Sequence, residues 1–436
     1  MNVLDSEKAA GLLVEAGWLP AGDPEAADLV LFNTCSVREK AAEKVFAYLG
    51  RTRALKRRRP GLVVGVMGCV AQQEGEAMLR RAKGLDFVVG TRRLNRVPEI
   101  ADAVRRGLAS GVVDTLMDED PLPVEVEQVL RETPFRAFVT IMEGCDNFCA
   151  YCVVPRTRGR ERSRPSLLVL DEVRRLADAG CVEVMLLGQN VNSYRDPSPE
   201  GLSFPELLRR VARTPGLRRL RFTTSHPKDF DDALLDVMVS EPVVCPQVHL
   251  PAQAGATRVL RAMNRKYTRE AYLEKIARVR QAPRAISLSS DFIVGFPGET
   301  EAEFQETLSL LEIVRYDSIF SFVYSPRPHT AALQLDDDVP DAEKKDRLIR
   351  LQALQERLQT EANRRRVGSL ETVLVDGAGR EPGQLSSRNP ANQIVHFQGD
   401  PRLIGTFVIV RVTSAGAYTL GGELPPADTD NDAQPR

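Results

Sequence analysis

Three cysteines share one short stretch, Glu143-Gly144-Cys145-Asp146-Asn147-Phe148-Cys149-Ala150-Tyr151-Cys152, with the spacing C-x3-C-x2-C. Thiolates that close together are soft-metal ligands, and three on one loop can reach three iron corners of a cubane. A structural zinc site or a structural cluster takes four protein ligands. A set of three leaves one iron open. An open iron can chelate the amino and carboxylate groups of S-adenosylmethionine, and one electron passed to the sulfonium yields a 5′-deoxyadenosyl radical. The competing reading is a zinc knuckle whose fourth ligand lies elsewhere, at Cys181, Cys245 or a histidine. Cys181 at a helix–strand junction and Cys245 after Val243-Val244 both read as plain buried cysteines.

The rest of the chain must position that loop. Its 436 residues, 43% of them hydrophobic, suffice for several domains and a large core. With 27% charged residues and a formal net charge of −1, the total excludes a uniformly basic nucleic-acid binder, so an RNA partner would have to be met by local patches. The seven cysteines do not form a disulfide framework, and Asn2, Asp5, Glu7 and Lys8 do not open a secretory leader. No run reaches the ~18 apolar residues of a membrane span. The expectation is a soluble protein of a reducing cytoplasm, with no membrane association, where cysteines serve as metal ligands or catalytic groups.

The hydrophobic patterning gives an α/β multidomain chain. Residues 1–106 alternate strands at Leu29-Val30-Leu31-Phe32, Leu62-Val63-Val64-Gly65-Val66-Met67 and Phe87-Val88-Val89 with helical stretches such as 38–49, which predicts a small α/β domain with a parallel sheet. Cys35 and Cys69 sit just past the C-terminal ends of two of these strands, the edge where open α/β sheets gather ligands. Residues 107–130, acidic and proline-containing, read as a linker. From 131 to 363, six strands beginning near Phe138, Val182, Leu220, Gln247, Ile286 and Ser318 alternate with helices such as 168–179, 205–212 and 301–314. Six units are too few for a closed eight-stranded barrel and predict a partial (β/α)6 barrel, open on one side. A charged helix over 341–366 leads to residues 366–427, whose four short strand-like runs predict a small all-β barrel. Residues 428–436 read as a disordered tail.

The stretch MEGCDNFCAYCVVPRTRGRERSR, 142–164, resembles the bacterial tRNA methylthiotransferases of the radical S-adenosylmethionine superfamily, most closely the type that converts N6-isopentenyladenosine at tRNA position 37 to its 2-methylthio form. Leu186-Leu187-Gly188-Gln189-Asn190-Val191-Asn192, His249-Leu250-Pro251, Gln253-Ala254-Gly255, Met263, Asp291-Phe292-Ile293-Val294-Gly295-Phe296-Pro297-Gly298-Glu299-Thr300, Tyr324-Ser325-Pro326-Arg327-Pro328 and Gly421-Gly422-Glu423-Leu424 are similar to further landmarks of that family. The stretch Val153-Val154-Pro155-Arg156-Thr157-Arg158-Gly159 favours the tRNA type over the relative that modifies a ribosomal-protein aspartate, and disfavours less strongly the enzyme acting on threonylcarbamoyladenosine. A non-catalytic, metal-containing RNA-binding protein is the alternative from another class.

The resemblance implies an N-terminal methylthiotransferase domain, a radical S-adenosylmethionine core and a C-terminal TRAM RNA-binding barrel. It implies two [4Fe–4S] clusters: one held by Cys145, Cys149 and Cys152, and a second held by three N-terminal cysteines, of which Cys35 and Cys69 match. The third is absent; relatives carry it just before a Met-Asn step, which here is Met1-Asn2. The expectation is a start assigned too late, at an internal methionine, and an upstream in-frame stop would contradict it. The resemblance further implies two uses of S-adenosylmethionine, a tRNA anticodon stem-loop as substrate, a flavodoxin or ferredoxin-type electron donor, and a monomer. Gly188, Gln189, Ser225, His249 and Gly295, at strand ends on the catalytic edge, are candidates for contact with the cofactor. Of two basic runs, Arg51 to Arg59 reads as a solvated face, whereas Arg156, Arg158, Arg160, Arg162 and Arg164, beside the cysteine loop, read as phosphate contacts at least as readily as solvated charges; Phe148 and Tyr151 read first as buried packing and second as base stackers.

Overall fold

The computed structural model describes residues 1–35, 39–117, 129–199 and 201–426. In the N-terminal domain β1 (Leu29–Thr34), β2 (Val63–Gly68), β3 (Phe87–Val89) and β4 (Val112–Asp114) form a parallel sheet in that order. β2 is buried along its whole length, which is why it reads as an unbroken apolar run. Helices Asn2–Glu15 and Val97–Arg105 cover one face through Ala9, Val97 and Ile100. Helices Glu39–Arg58 and Glu76–Arg81 cover the other through Val45, Leu49 and Met78. β4 lies inside the stretch expected to be linker. Its Asp114 is ion-paired with Arg93 at 2.9 Å, which ties that segment into the sheet. The acidic residues 118–128 fall outside the described residues.

The central domain has β5 (Arg136–Thr140), a short antiparallel pair β6 (Met142–Glu143) and β7 (Arg162–Ser163), then β8 (Glu183–Leu187), β9 (Arg219–Phe222), β10 (Gln247–His249), β11 (Ser287–Val294) and β12 (Ser318–Val323). The parallel sets β5-β8-β9 and β10-β11-β12 are joined by a bridge between Leu220 and Val244, giving six strands in chain order. The expected partial barrel is therefore present, and β5 and β12 are its free edges. Val139, Val184, Leu186, Leu220, Val248, Leu288 and Phe292 face outward into the apolar core, which the surrounding helices share. The register puts Arg136, Glu183 and Arg219 side by side on the opposite face, with Gln247 beside Ser287, His249 beside Ser289, and Asp291 beside Phe320. The lumen of the barrel is thus polar.

Helix Asp341–Arg364 packs along β12 and leads to a closed barrel of β13 (Leu370–Ala378), β14 (Gln384–Arg388), β15 (Ile394–Gln398), β16 (Phe407–Ala415) and β17 (Thr419–Glu423), in the order β13-β14-β15-β17-β16. β14 was not expected from the sequence. It carries a single apolar residue, Leu385, and its buried Ser387 replaces an apolar contact with a hydroxyl bond to Val395 O at 2.7 Å.

This barrel sits against the N-terminal edge of the central strands, at the end of the lumen away from the cysteine loop. Arg219 donates to Arg388 O at 2.7 Å and to Thr372 O. Arg221 donates to Asn389 O and Pro390 O, each at 2.8 Å. Glu183, itself 2% exposed, pairs with Arg221 at 3.1 Å and stands 4.0 Å from Arg219. The ring of Phe407 lies under the Arg218 and Arg219 guanidiniums at 4.1 and 4.7 Å. A buried cation without its counter-ion is costly. Glu183→Ala is expected to lower the stability of the joined central and C-terminal domains by about 3–5 kcal/mol, read as a shifted urea transition in circular dichroism.

Candidate active site

The cysteine loop leaves the C-terminal end of β5 and returns through β7, so it lies at the mouth of the lumen. Its path needs Gly144. The backbone there has φ +78°, and a Cβ would stand 2.0 Å from the carbonyl oxygen of Arg160. Cys145 N donates to Gly159 O at 3.1 Å, and Cys152 N closes a tight turn on Cys149 O at 3.0 Å. The loop is then held from three sides. Gly144 N donates to the Gln189 amide oxygen, Ala150 N donates to Met263 O at 2.9 Å, and Asn264 Nδ2 donates to Phe148 O at 2.7 Å.

The thiols sense one another. Burial pushes Cys145 up, with the charge of Cys149 adding to it, while the Asn147 backbone and side-chain N–H groups, 3.4 and 3.6 Å from the sulfur, pull the other way. Burial, then Cys149 and Cys145, push Cys152 up to about 12. Arg265, wholly internal, donates to Cys149 Sγ at 3.4 Å and is braced by Tyr267 Oη and Pro251 O, each at 3.0 Å. Among the described residues no three His, Cys, Asp or Glu side chains already stand in metal-holding geometry. The donor set nonetheless suits a cluster: three thiols on one loop, N–H groups of Asn147 and Arg265 aimed at the sulfurs, and the buried hydroxyl of Ser225 without a partner. Cys181 and Cys245 are buried at the N-terminal ends of β8 and β10, away from the loop, which leaves the zinc reading without its proposed fourth cysteine.

The other expected residues separate into two kinds. Gln189 supports the loop backbone, as above. His249 lies on the lumen face, its Nδ1 3.0 Å from Ser289 Oγ and its Nε2 3.4 Å from Asp291 Oδ2, with the Phe320 ring edge-on at 6.0 Å. Gly188 and Gly295, in contrast, have packing reasons to be glycine. A Cβ on Gly188 would meet Met142 Cγ at 2.5 Å, and one on Gly295, at φ +67°, would meet Lys344 Cγ at 2.3 Å. Glu299 of the same motif accepts from Gly295 N at 2.6 Å and pairs with Arg347 at 2.9 Å, fastening helix Asp341–Arg364 to the core.

The arginine run beside the loop is mostly internal. Arg158 is ion-paired with Asp5, and Arg164 pairs with Glu172 at 2.7 Å; both are buried. Arg162 stands 3.6 Å from Glu143. Arg156 and Arg160 are exposed, and Arg160 lies 5.5 Å from the ring of the half-exposed Phe148. In the first basic run Lys56 pairs with Asp86 and Arg59 with Asp28, so that helix end is partly tied to its own domain.

Cys35 and Cys69 follow β1 and β2, and the charges of both reach the α-amino group of Met1, whose pKa burial lowers. Cys69 also acts on Arg158, and Met1 Sδ lies 3.8 Å from Thr140 Oγ1 at the end of β5. The thiol pair therefore faces the mouth of the central barrel. Two thiols do not complete the three-ligand set of a cubane, and the other five cysteines belong to the central domain.

Sequence reasoning missed Arg265 and the network of His226. His226 is buried, its Nδ1 accepts from Lys228 N at 3.1 Å, and its backbone N–H donates to Asn190 Oδ1 and Asn192 Oδ1 at 3.0 and 2.8 Å. Burial, then Arg265 and Lys228, push its pKa down to about 2, so the ring is neutral. Asn190 and Asn192 belong to the segment Leu186-Leu187-Gly188-Gln189-Asn190-Val191-Asn192, whose paired amides are the sequence signal for this network.

Three family descriptions match the chain: "Uncharacterized protein family UPF0004" over residues 1–90, "Radical SAM superfamily" over 139–311 and "TRAM domain" over 364–424. A protein of Geotalea uraniireducens named tRNA-2-methylthio-N(6)-dimethylallyladenosine synthase is 49% identical over 97% of this chain and 96% of its own length. One of the same name from Geobacter sulfurreducens is 50% identical over 97% and 95%. Among solved structures, the radical S-adenosylmethionine methyltransferase TsrM from Kitasatospora setae, with cobalamin and a [4Fe-4S] cluster bound, shares the fold with a TM-score of 0.54 at 16% identity, over 87% of this chain and 77% of that one. No helix among the described residues is long and apolar enough to cross a membrane.

Two outcomes test this geometry. Arg265→Met removes a charged donor from Cys149, and hydrogen bonds to cluster sulfurs raise the potential; redox titration followed by electron paramagnetic resonance is expected to find a more negative midpoint. For His226, an unfolded imidazole takes up its proton near pH 6.5 while the folded one does not, so stability is complete above about pH 6.5 and is lost as pH falls. Urea unfolding of the cluster-free protein should lose about 1 kcal/mol between pH 6.5 and 5.5 from this group, and His226→Gln should flatten that slope.

Proposed function

This chain belongs to the tRNA-2-methylthio-N(6)-dimethylallyladenosine synthases, and we propose that it carries that family's reaction at the loop of Cys145, Cys149 and Cys152. It is a radical S-adenosylmethionine transferase whose substrate is a tRNA, met through a TRAM barrel. The observation that carries the residue assignment is the three-thiol loop at the lumen mouth with Arg265 against Cys149.

Cys145, Cys149 and Cys152 would hold a [4Fe–4S] cluster, which would supply reductive cleavage of S-adenosylmethionine and so the radical chemistry at the adenine C2. The protein's own residues bind and orient. Gly144 and Gln189 fix the loop, and Asn147 and Arg265 donate to its sulfurs. Ser225 and His249 would contact the cofactor, and Asp291 and Ser289 set the imidazole of His249. A C2–H bond is not acidic, so the site needs no paired general acid and base; it needs close positioning and exclusion of water. The lumen suits this, because the C-terminal barrel closes its far end. The electron comes from a flavodoxin or ferredoxin-type donor. Arg156 and Arg160 are exposed beside the loop, Arg160 pairing with Asp146 at 2.8 Å, and they are the cations that meet RNA phosphates. Cys35 and Cys69 offer two ligands toward a second cluster, one short of a full set.

The test is anaerobic reconstitution with iron analysis and product chromatography. Cys145→Ala is expected to lose about four irons per chain, with 5′-deoxyadenosine and 2-methylthioadenosine products both at background. The double variant Cys35→Ala, Cys69→Ala is expected to keep 5′-deoxyadenosine formation, because those thiols lie in the other domain. Unchanged iron and cleavage in Cys145→Ala would refute the assignment.

A further inference from the structure

The free edge of the partial barrel opens into a cleft of about 380 Å³ between β12, helix Asp341–Arg364 and the loop 416–418 of the C-terminal barrel. Phe320 and Tyr418 are two of its aromatic walls, and both are exposed, at 50% and 71%. An exposed ring at that level is held out of a core, not folded into one. β12 adds Ile319, Ser321 and Phe322, and the helix adds amides. Gln352, Gln355 and Gln359 line it from the helix, and Gln355, 4% exposed, keeps its side-chain carbonyl oxygen without a hydrogen-bond partner. The charged group of the lining is Glu356, so the cleft repels phosphate.

Rings that stack, amides that both donate and accept, and no cation are the chemistry of a nucleobase pocket. Its position identifies the base. Phe320 is shared with the lumen, where its ring meets His249, and Tyr418 comes from the TRAM barrel. The cleft therefore runs along the free edge of β12, from the lumen at Phe320 and His249 to the RNA-binding module at Tyr418. We propose that it receives an unpaired nucleobase of the tRNA next to the reacting adenosine, stacked on Tyr418 and hydrogen-bonded by the glutamine amides. This rests on the tRNA reading above and adds to it a second base subsite, outside the lumen, that orients the loop while the reacting adenine occupies the mouth.

The test measures binding of the reconstituted holoenzyme to an anticodon stem-loop RNA carrying N6-isopentenyladenosine. The RNA is used intact and with an abasic nucleotide on the 5′ or the 3′ side of that residue. For the wild type, one of the two abasic sites is expected to weaken binding about tenfold. Tyr418→Ala should bind the intact RNA about tenfold more weakly and lose nothing further with that abasic site, whereas Tyr418→Phe, which keeps the stacking face, should behave as wild type. Wild-type affinity of Tyr418→Ala for the intact RNA would overturn the proposal and leave the cleft to a peptide or another protein. So would equal abasic losses in Tyr418→Ala and wild type. Absence of methylthiolated product from the wild-type holoenzyme would count against the function reading, while the coupling between Tyr418 and the flanking base would still be read in the binding data.

Discussion

A thiol must lose its proton to hold iron, and burial opposes that loss. The loop of Cys145, Cys149 and Cys152 brings three such groups under cover within one another's fields, and the charges of its neighbours push Cys152 higher still. Nearly everything around the loop answers this. Asn147 turns two N–H groups toward Cys145, and Arg265 brings a full positive charge against Cys149. Arg265 can lie there only because Tyr267 and the carbonyl of Pro251 take up its other donors. Its charge, in turn, is one reason His226 stays neutral. Fixed N–H donors thus face the buried sulfurs of this loop from Asn147 and from Arg265.

The second organising feature is the inward polarity of the central barrel. An ordinary α/β sheet would bury apolar residues on both faces. Here one face is apolar and packed by helices, while the other carries arginines, a glutamate, serines and a histidine along an open lumen. At one end that polarity is satisfied by carbonyls of the C-terminal barrel, and at the other it surrounds the cysteine loop.

Much of this was legible in the sequence. The helix expected at 301–314 matches Glu301–Val314, which the Thr300–Glu303 capping box starts, and the six central strands lie where alternation put them. The triplet of cysteines needed no structure to be noticed. What escaped notice did so for physical reasons. β14 is a polar strand whose burial is made possible by hydroxyl bonding, and β4 has three residues in an acidic neighbourhood. Arg219 and Arg221 look, in sequence, like the outward half of an amphipathic strand, and only the barrel's curvature turns them into its interior. Gly188 and Gly295 stand out in the sequence as glycines at strand ends, but that Met142 and Lys344 fill the space where their side chains would be is visible only in the packing.

The guanidiniums of Arg219 and Arg221 hold the C-terminal barrel by carbonyl oxygens of Thr372, Arg388, Asn389 and Pro390. Main-chain oxygens are the same whatever residue carries them. A clasp of this kind fixes where the barrel sits while asking little of its side chains beyond the Phe407 ring and the carboxylate of Asp376, which faces Arg136 at 3.7 Å. The joint behaves as a mechanical coupling whose fitting is standard and whose tool face can be exchanged.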